Sequence, residues 1–206
     1  PSYSYHDVKI IAREICYQGF FQLEKYRLQF KLFNGQWSKE IEREIFERGM
    51  SVAVLLLDPL RDEIVLIEQF RVGVMNSLEK NESPWLIEIV AGALESNQKL
   101  EDAAFKETKE ETGLKILEFF YICDYWVSPG SSSEKIFLFC ARIDARNAKG
   151  YFGLAEESED IKVICLPIDE ALLLVENGKI KNVNAIVALQ WLKINRKKYK
   201  ELFKLI

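Results

Sequence analysis

The sequence predicts an α+β fold in which a mixed β-sheet is sandwiched between helices (α/β/α), with an antiparallel β-ribbon ahead of it. Three observations carry this reading. Strand-length apolar runs bounded by turn residues fill most of the chain, helical periodicity is confined to one central and two C-terminal stretches, and there is no regular β–α alternation of a doubly wound parallel sheet.

Residues 8–15 (VKIIAREI) read as a strand, Gly19, Phe20 and Phe21 break it, and 26–33 (YRLQFKLF) alternate strictly up to a hairpin turn at Asn34-Gly35. A ribbon of this kind, rich in Phe, Tyr and Leu, is marginal alone. Residues 1–50 are therefore expected to pack on the core domain or on a second copy of the chain, and the copy is favoured, making them a dimerisation segment. Residues 51–206 form the second expected domain. It opens with VAVLLL, a turn from Asp58-Pro59 to Asp62, IVLIEQF, a polar loop over 76–84, and LIEIV leading into Ala91-Gly92. A helix from Leu100 ends at Gly113, which is placed as a left-handed C-cap. Strands at 116–122, 136–141 and 161–166 follow, then helices at 169–176, stopped by Asn177-Gly178, and at 184–203.

Composition narrows the chemistry. At 206 residues, 49% hydrophobic and 29% charged, the chain is an ordinary globular protein with length enough for a real core. A net charge of -4 without a basic stripe argues against nucleic acid or an anionic membrane as partner. The basic stretch Arg196, Lys197, Lys198 and Lys200 reads as the solvated end of a helix. Cys16, Cys123, Cys140 and Cys165 are scattered in apolar, strand-like surroundings and read as buried reduced thiols. No apolar signal region or spanning stretch is visible, so a cytoplasmic location is expected. The single histidine, His6, sits near a polar N-terminus, which disfavours a serine triad, a His-rich zinc site or a histidine base. Chemistry must run on carboxylates and metal.

Residues 92–114 concentrate that chemistry. At about 100° per residue from Leu100, Ala103, Ala104, Glu107, Thr108 and Glu111 fall on one side of the helix, so two acids continue the core-facing stripe. Acids on a semi-buried face are costly unless neutralised, and no basic residue shares the stripe. A divalent cation would neutralise them.

The segment resembles the Nudix box, Gly, five residues, Glu, seven residues, Arg-Glu-aliphatic-x-Glu-Glu-x-Gly-aliphatic. Gly92, Glu107, Glu110, Glu111, Gly113 and Leu114 match in register, whereas Gln98, Lys106 and Thr108 replace Glu, Arg and an aliphatic residue. A Gln98 to Lys106 hydrogen bond is expected in place of the family's stronger ion pair. Pro129, in WVSPGSSSE 15 residues after Leu114, and the string FGLAEESEDI resemble the ADP-ribose pyrophosphatase branch, as do AREICYQGFF, LFNGQ, REIFERG, VLIEQFR and ALQWL. The likeness spans nearly the whole chain.

That resemblance implies the Nudix fold, a homodimer, and magnesium-dependent hydrolysis of ADP-ribose to AMP and ribose 5-phosphate, with manganese as a substitute. It places metal on Glu107, Glu111, the backbone carbonyl of Ala91, and Glu110 as ligand or support. It makes Glu157 the general base with Glu159 second, Phe20 the adenine-stacking residue, and Arg43, Arg71 and Glu134 substrate-binding residues, the N-terminal ones reaching in from the partner subunit. Oxygen-only ligands suit magnesium or manganese over zinc. The alternatives are another nucleoside-diphosphate sugar or a dinucleotide as substrate, or a non-catalytic module that senses a nucleotide.

Overall fold

The computed structural model describes residues 3–79 and 81–203; Lys80 of the 76–84 loop and the extreme ends of both expected domains lie outside them. The chain divides into two compact units, 1–50 with 126–135, and 51–125 with 136–206.

In the first unit, β1 (Val8–Gln18), β2 (Gln22–Phe30) and β3 (Ile41–Glu47) form an antiparallel three-stranded sheet in that order. Asn34-Gly35 turns the chain as its residue types require, with Gly35 at φ 83° and Asn34 Oδ1 accepting from the Gln36 amide. The central strand buries Glu24, and Arg13 neutralises it with a two-pronged bond of 2.6 and 2.5 Å. β1 is an edge strand with every residue exposed. Cys16 lies on it and is exposed, so the expectation of buried thiols fails there: a strand on an uncovered sheet cannot shield either face. Cys140 alone is fully buried, and all four cysteines are free. The 128–134 loop lies beside β3, where the Phe46 amide donates to Ser131 O at 2.8 Å and the Ser133 amide to Phe46 O at 3.1 Å.

The second unit carries β4 (Met50–Asp58), β5 (Glu63–Phe70), β6 (Trp85–Glu88), β7 (Val90–Ala93), α1 (Leu100–Thr112), β8 (Glu118–Trp126), β9 (Lys135–Arg142), β10 (Gly150–Phe152), β11 (Ile161–Pro167), α2 (Ile168–Glu176), α3 (Val183–Asn195) and α4 (Tyr199–Leu202). The mixed sheet runs β10-β11-β5-β4-β9-β8, with β6 paired to β5 and β7 to β4. Both faces of β4 are buried, as its unbroken VAVLLL run requires. Val52, Val54 and Leu56 share one core cluster with Ala103 and Ala104 of α1, where small residues let the helix approach the sheet. Among the described residues no helix is long and apolar enough to cross a membrane.

The expected helix over 184–203 is broken. α3 ends at Asn195, whose side-chain amide bonds back to Trp191 O at 2.9 Å, and α4 starts at Tyr199. The break serves Asp62, which holds left-handed backbone (φ 60°) in the β4–β5 turn and binds both Arg196 and Tyr199, the latter at 2.7 Å. Arg196 and Lys200 are thus partners of Asp62, not a solvated helix end. The Arg196 guanidinium and the Tyr199 hydroxyl hold the Asp62 carboxyl well below its usual value of 3.8. Depression means the stabilisation is present above about 3.8 and lost as pH falls through the folded value. With the Asp62 side chain 42% exposed, screening limits it to ~1 kcal/mol. Asn tolerates the left-handed conformation, so Asp62→Asn isolates the charge. Its melting temperature should lie below that of the unaltered protein at pH 7, and the gap should narrow at pH 3.

Candidate active site

α1 opens with Glu101 and Asp102, which suit its positive pole, and stops at Gly113 (φ 70°), where the Lys109 ammonium also caps Gly113 O at 2.9 Å. The helix lays Glu107 across the β7 backbone. A Cβ on Gly92 would stand 2.0 Å from the Glu107 carboxyl carbon, so a larger residue there would displace that carboxylate from its present position. One turn on, Glu111 is 3% exposed and accepts the Ala91 amide at 3.2 Å. Burial, then the Glu110 charge, raises Glu107 to about 7; burial, opposed by the Ala91 bond and assisted by Glu107, raises Glu111 well above the ordinary carboxylate range. Two neighbouring acids penalised by burial, an oxygen-only donor set and a glycine cradle fit a hard divalent cation. Among the described residues no three His, Cys, Asp or Glu side chains stand gathered as a complete ligand set. Glu107 and Glu111 lie one turn apart on α1, with Glu110 half-buried beside them.

The acidic loop is tied to the same helix. The Gly153 amide donates to Glu110 O at 3.3 Å, and a short 3-10 turn over Ala155–Glu157 follows. Within it the two candidate bases differ: Glu159 is partly buried and accepts the Leu154 amide at 3.2 Å, whereas Glu157 is exposed. Both contribute to the raised Glu107 value. Arg71, directly after β5, pairs with buried Glu88; burial opposes its charge, but the Glu88 bond and the nearby Glu111 and Glu159 carboxylates outweigh it and raise its pKa. The second unit therefore brings together Ala91, Glu107, Glu110, Glu111, Arg71, Glu157 and Glu159.

Phe20, Arg43 and Glu134 belong to the first unit. Phe20 is 95% exposed at the β1–β2 turn, edge-on to Phe21 with centroids 4.7 Å apart. Arg43 is exposed on β3, its guanidinium donating to Glu42 O at 2.7 Å. Glu134 accepts from Arg48 at 3.2 Å, and Arg48 in turn lies 4.2 Å from the Phe21 ring centroid.

The expected Gln98 to Lys106 bond is not formed. The Gln98 side chain folds back to accept the Glu95 amide at 3.1 Å, and Lys106 donates to Glu95 Oε1 at 2.9 Å. A loop carboxylate three residues earlier thus takes the cation, in an exposed pair worth ~0–1 kcal/mol. Thr108, the third departure from the box, is fully buried with no partner for its hydroxyl among the described residues. Thr108→Val keeps the shape and removes the unsatisfied group, which should add ~1–2 kcal/mol and raise the melting temperature by ~2–8 °C. A lower melting temperature would show that the hydroxyl is bonded.

A sheet between helices that sets a half-buried and a buried carboxylate against a strand glycine offers the oxygen ligands that a hydrolase working through a divalent cation needs. The NUDIX domain model matches residues 47–188, more than half of the chain, and the protein belongs to the Nudix family. It is 45% identical to the ADP-ribose pyrophosphatase of Escherichia coli (strain K12), over 95% of this chain and 92% of that protein. It is 39% identical to the one from Haemophilus influenzae (94% and 89%), and 32% identical to a GDP-mannose pyrophosphatase of Enterobacter sp. (91% and 96%). A crystal structure of an ADP compounds hydrolase shares the fold, with a TM-score of 0.67 at 22% identity over 93% of this chain and 97% of that one.

Proposed function

We propose that the protein hydrolyses the pyrophosphate bond of ADP-ribose, giving AMP and ribose 5-phosphate, with magnesium, or manganese in its place. The observation that carries the reading is the pair of half-buried Glu107 and buried Glu111 against Ala91-Gly92, set in a chain similar along its length to ADP-ribose pyrophosphatases. Glu107, Glu111 and the Ala91 carbonyl, with Glu110, would hold the cation. When bound, it supplies neutralisation and polarisation of the phosphoryl oxygens. Glu157 takes a proton from the water that attacks phosphorus as the P–O–P bond breaks, and Glu159 holds the loop through Leu154. Arg71 offers a cation to the substrate phosphates.

Phe20, as the adenine stacking surface, with Arg43 and Glu134, completes substrate binding in a homodimer whose contact is built by residues 1–50, leaving 51–206 as the catalytic domain. The exposed edge strand β1 and the fully exposed Phe20 ring support this. The acidic balance speaks against a nucleic-acid partner, and a cytoplasmic setting suits a free nucleotide sugar.

The likeness to a GDP-mannose pyrophosphatase favours a second reading, the same hydrolysis on another nucleoside-diphosphate sugar. Hydrolysis of ADP-ribose, GDP-mannose, NADH and a nucleoside triphosphate, with magnesium and with EDTA, separates them by product chromatography. Metal-dependent AMP release, fastest from ADP-ribose, is expected. Faster turnover of GDP-mannose would transfer the assignment, and nucleotide binding without turnover would make the protein a sensor.

A further inference from the structure

Glu88, the last residue of β6, is 2% exposed yet carries a carboxylate. Every donor around it comes from elsewhere in the sequence. Arg71 reaches Oε2 through Nη2 at 2.8 Å and Nε at 3.1 Å, Gln69 Nε2 reaches Oε2 at 3.2 Å, and Asn182 Nδ2 reaches Oε1 at 2.8 Å. A carboxylate so fully subscribed is not free to coordinate a metal. What it does is fix a plane. The Arg71 guanidinium is gripped by two of its nitrogens, while its side chain remains 43% exposed. Asn182 is itself immobilised, because its Oδ1 accepts the Ala185 amide as the N-cap of α3.

We infer that Glu88 is a positioning residue, supported by Gln69 and Asn182, that holds the Arg71 guanidinium ready for the substrate's phosphates. The inference rests on the proposed role of Arg71. An unanchored arginine would have to be ordered by the substrate on each encounter, so the anchor acts on binding and leaves the proton transfer at Glu157 alone.

Steady-state hydrolysis of ADP-ribose by the full chain with magnesium tests this. Glu88→Gln should raise KM roughly tenfold with kcat within about threefold, and should change KM less than about twofold when added to Arg71→Ala. Because Glu88→Gln removes a buried charge and could unfold the protein, Asn182→Ser is the second variant. Serine retains the helix cap but loses the Nδ2 donor, so KM should rise about two- to fivefold while the protein stays folded with its melting temperature lowered by only a few degrees. Equal effects of Glu88→Gln with and without Arg71, or a fall in kcat at constant KM, would overturn the inference, as would an unaltered KM in Asn182→Ser. If the unaltered protein fails to turn over ADP-ribose, the functional reading falls by itself. The same cycle, run on the dissociation constant of ADP-ribose, then decides the role of Glu88, and an absence of binding would overturn both.

Discussion

Glu111→Gln is expected to lower kcat/KM for ADP-ribose on the order of 10³-fold while leaving the metal-free protein at least as stable as the original. The two halves of this result have one cause. The Glu111 carboxyl is buried and faces Glu107, so in the absence of a cation its charge is penalised by desolvation and by its neighbour. Glutamine keeps an oxygen to accept the Ala91 amide, so the local geometry survives and the penalty is removed. The variant should therefore melt at or above the unaltered protein in EDTA. Magnesium should raise the melting temperature of the unaltered protein by mass action and leave that of the variant where it was. Thermal melts with and without magnesium, beside the hydrolysis assay, check both halves. A variant that melts lower in EDTA would show that Glu111 is a structural acid, not a ligand.

What the sequence made legible was whatever periodicity and backbone chemistry dictate locally. Glu107 and Glu111 could be placed on one semi-buried side of α1 from helical periodicity, and Gly113 at its left-handed end, since each depends on neighbours within one or two turns. The double-sided burial of β4 was likewise written in its unbroken apolar run. What escaped depends on partners far away in the chain. The break after Asn195 serves Asp62, 134 residues from Arg196. The anchoring of Arg71 rests on Glu88 and Asn182, which no local pattern connects. The Gln98 to Lys106 expectation failed for a related reason: a long lysine arm takes the nearest carboxylate in space, and that is Glu95. Cys16 was misjudged because alternation marks a strand without saying whether anything covers the sheet.

Glu157→Gln should reduce kcat about 10²- to 10⁴-fold, the usual range for removing a general base, with little change in magnesium affinity or in KM. The reason for choosing Glu157 over Glu159 is structural. Glu159 is committed to the Leu154 amide, and Gly153 (φ 103°) packs so tightly on it that a Cβ there would lie 2.7 Å from the Glu159 Cβ. Moving that carboxylate would unpick the loop. Glu157 ends the short 3-10 turn, exposed, ahead of Ser158 in the left-handed conformation, so its side chain can swing without breaking a fold contact. Exposure also predicts that Glu157→Gln leaves stability within about 0.5 kcal/mol. Glu159→Ala should behave differently, removing the acceptor of the Leu154 amide and so raising KM as well as lowering kcat, because the loop is then misplaced and the base is still present. Measuring both variants over a magnesium titration separates a missing proton acceptor from a displaced loop. If Glu159→Ala lost kcat alone and Glu157→Gln kept full turnover, the two assignments would have to be exchanged.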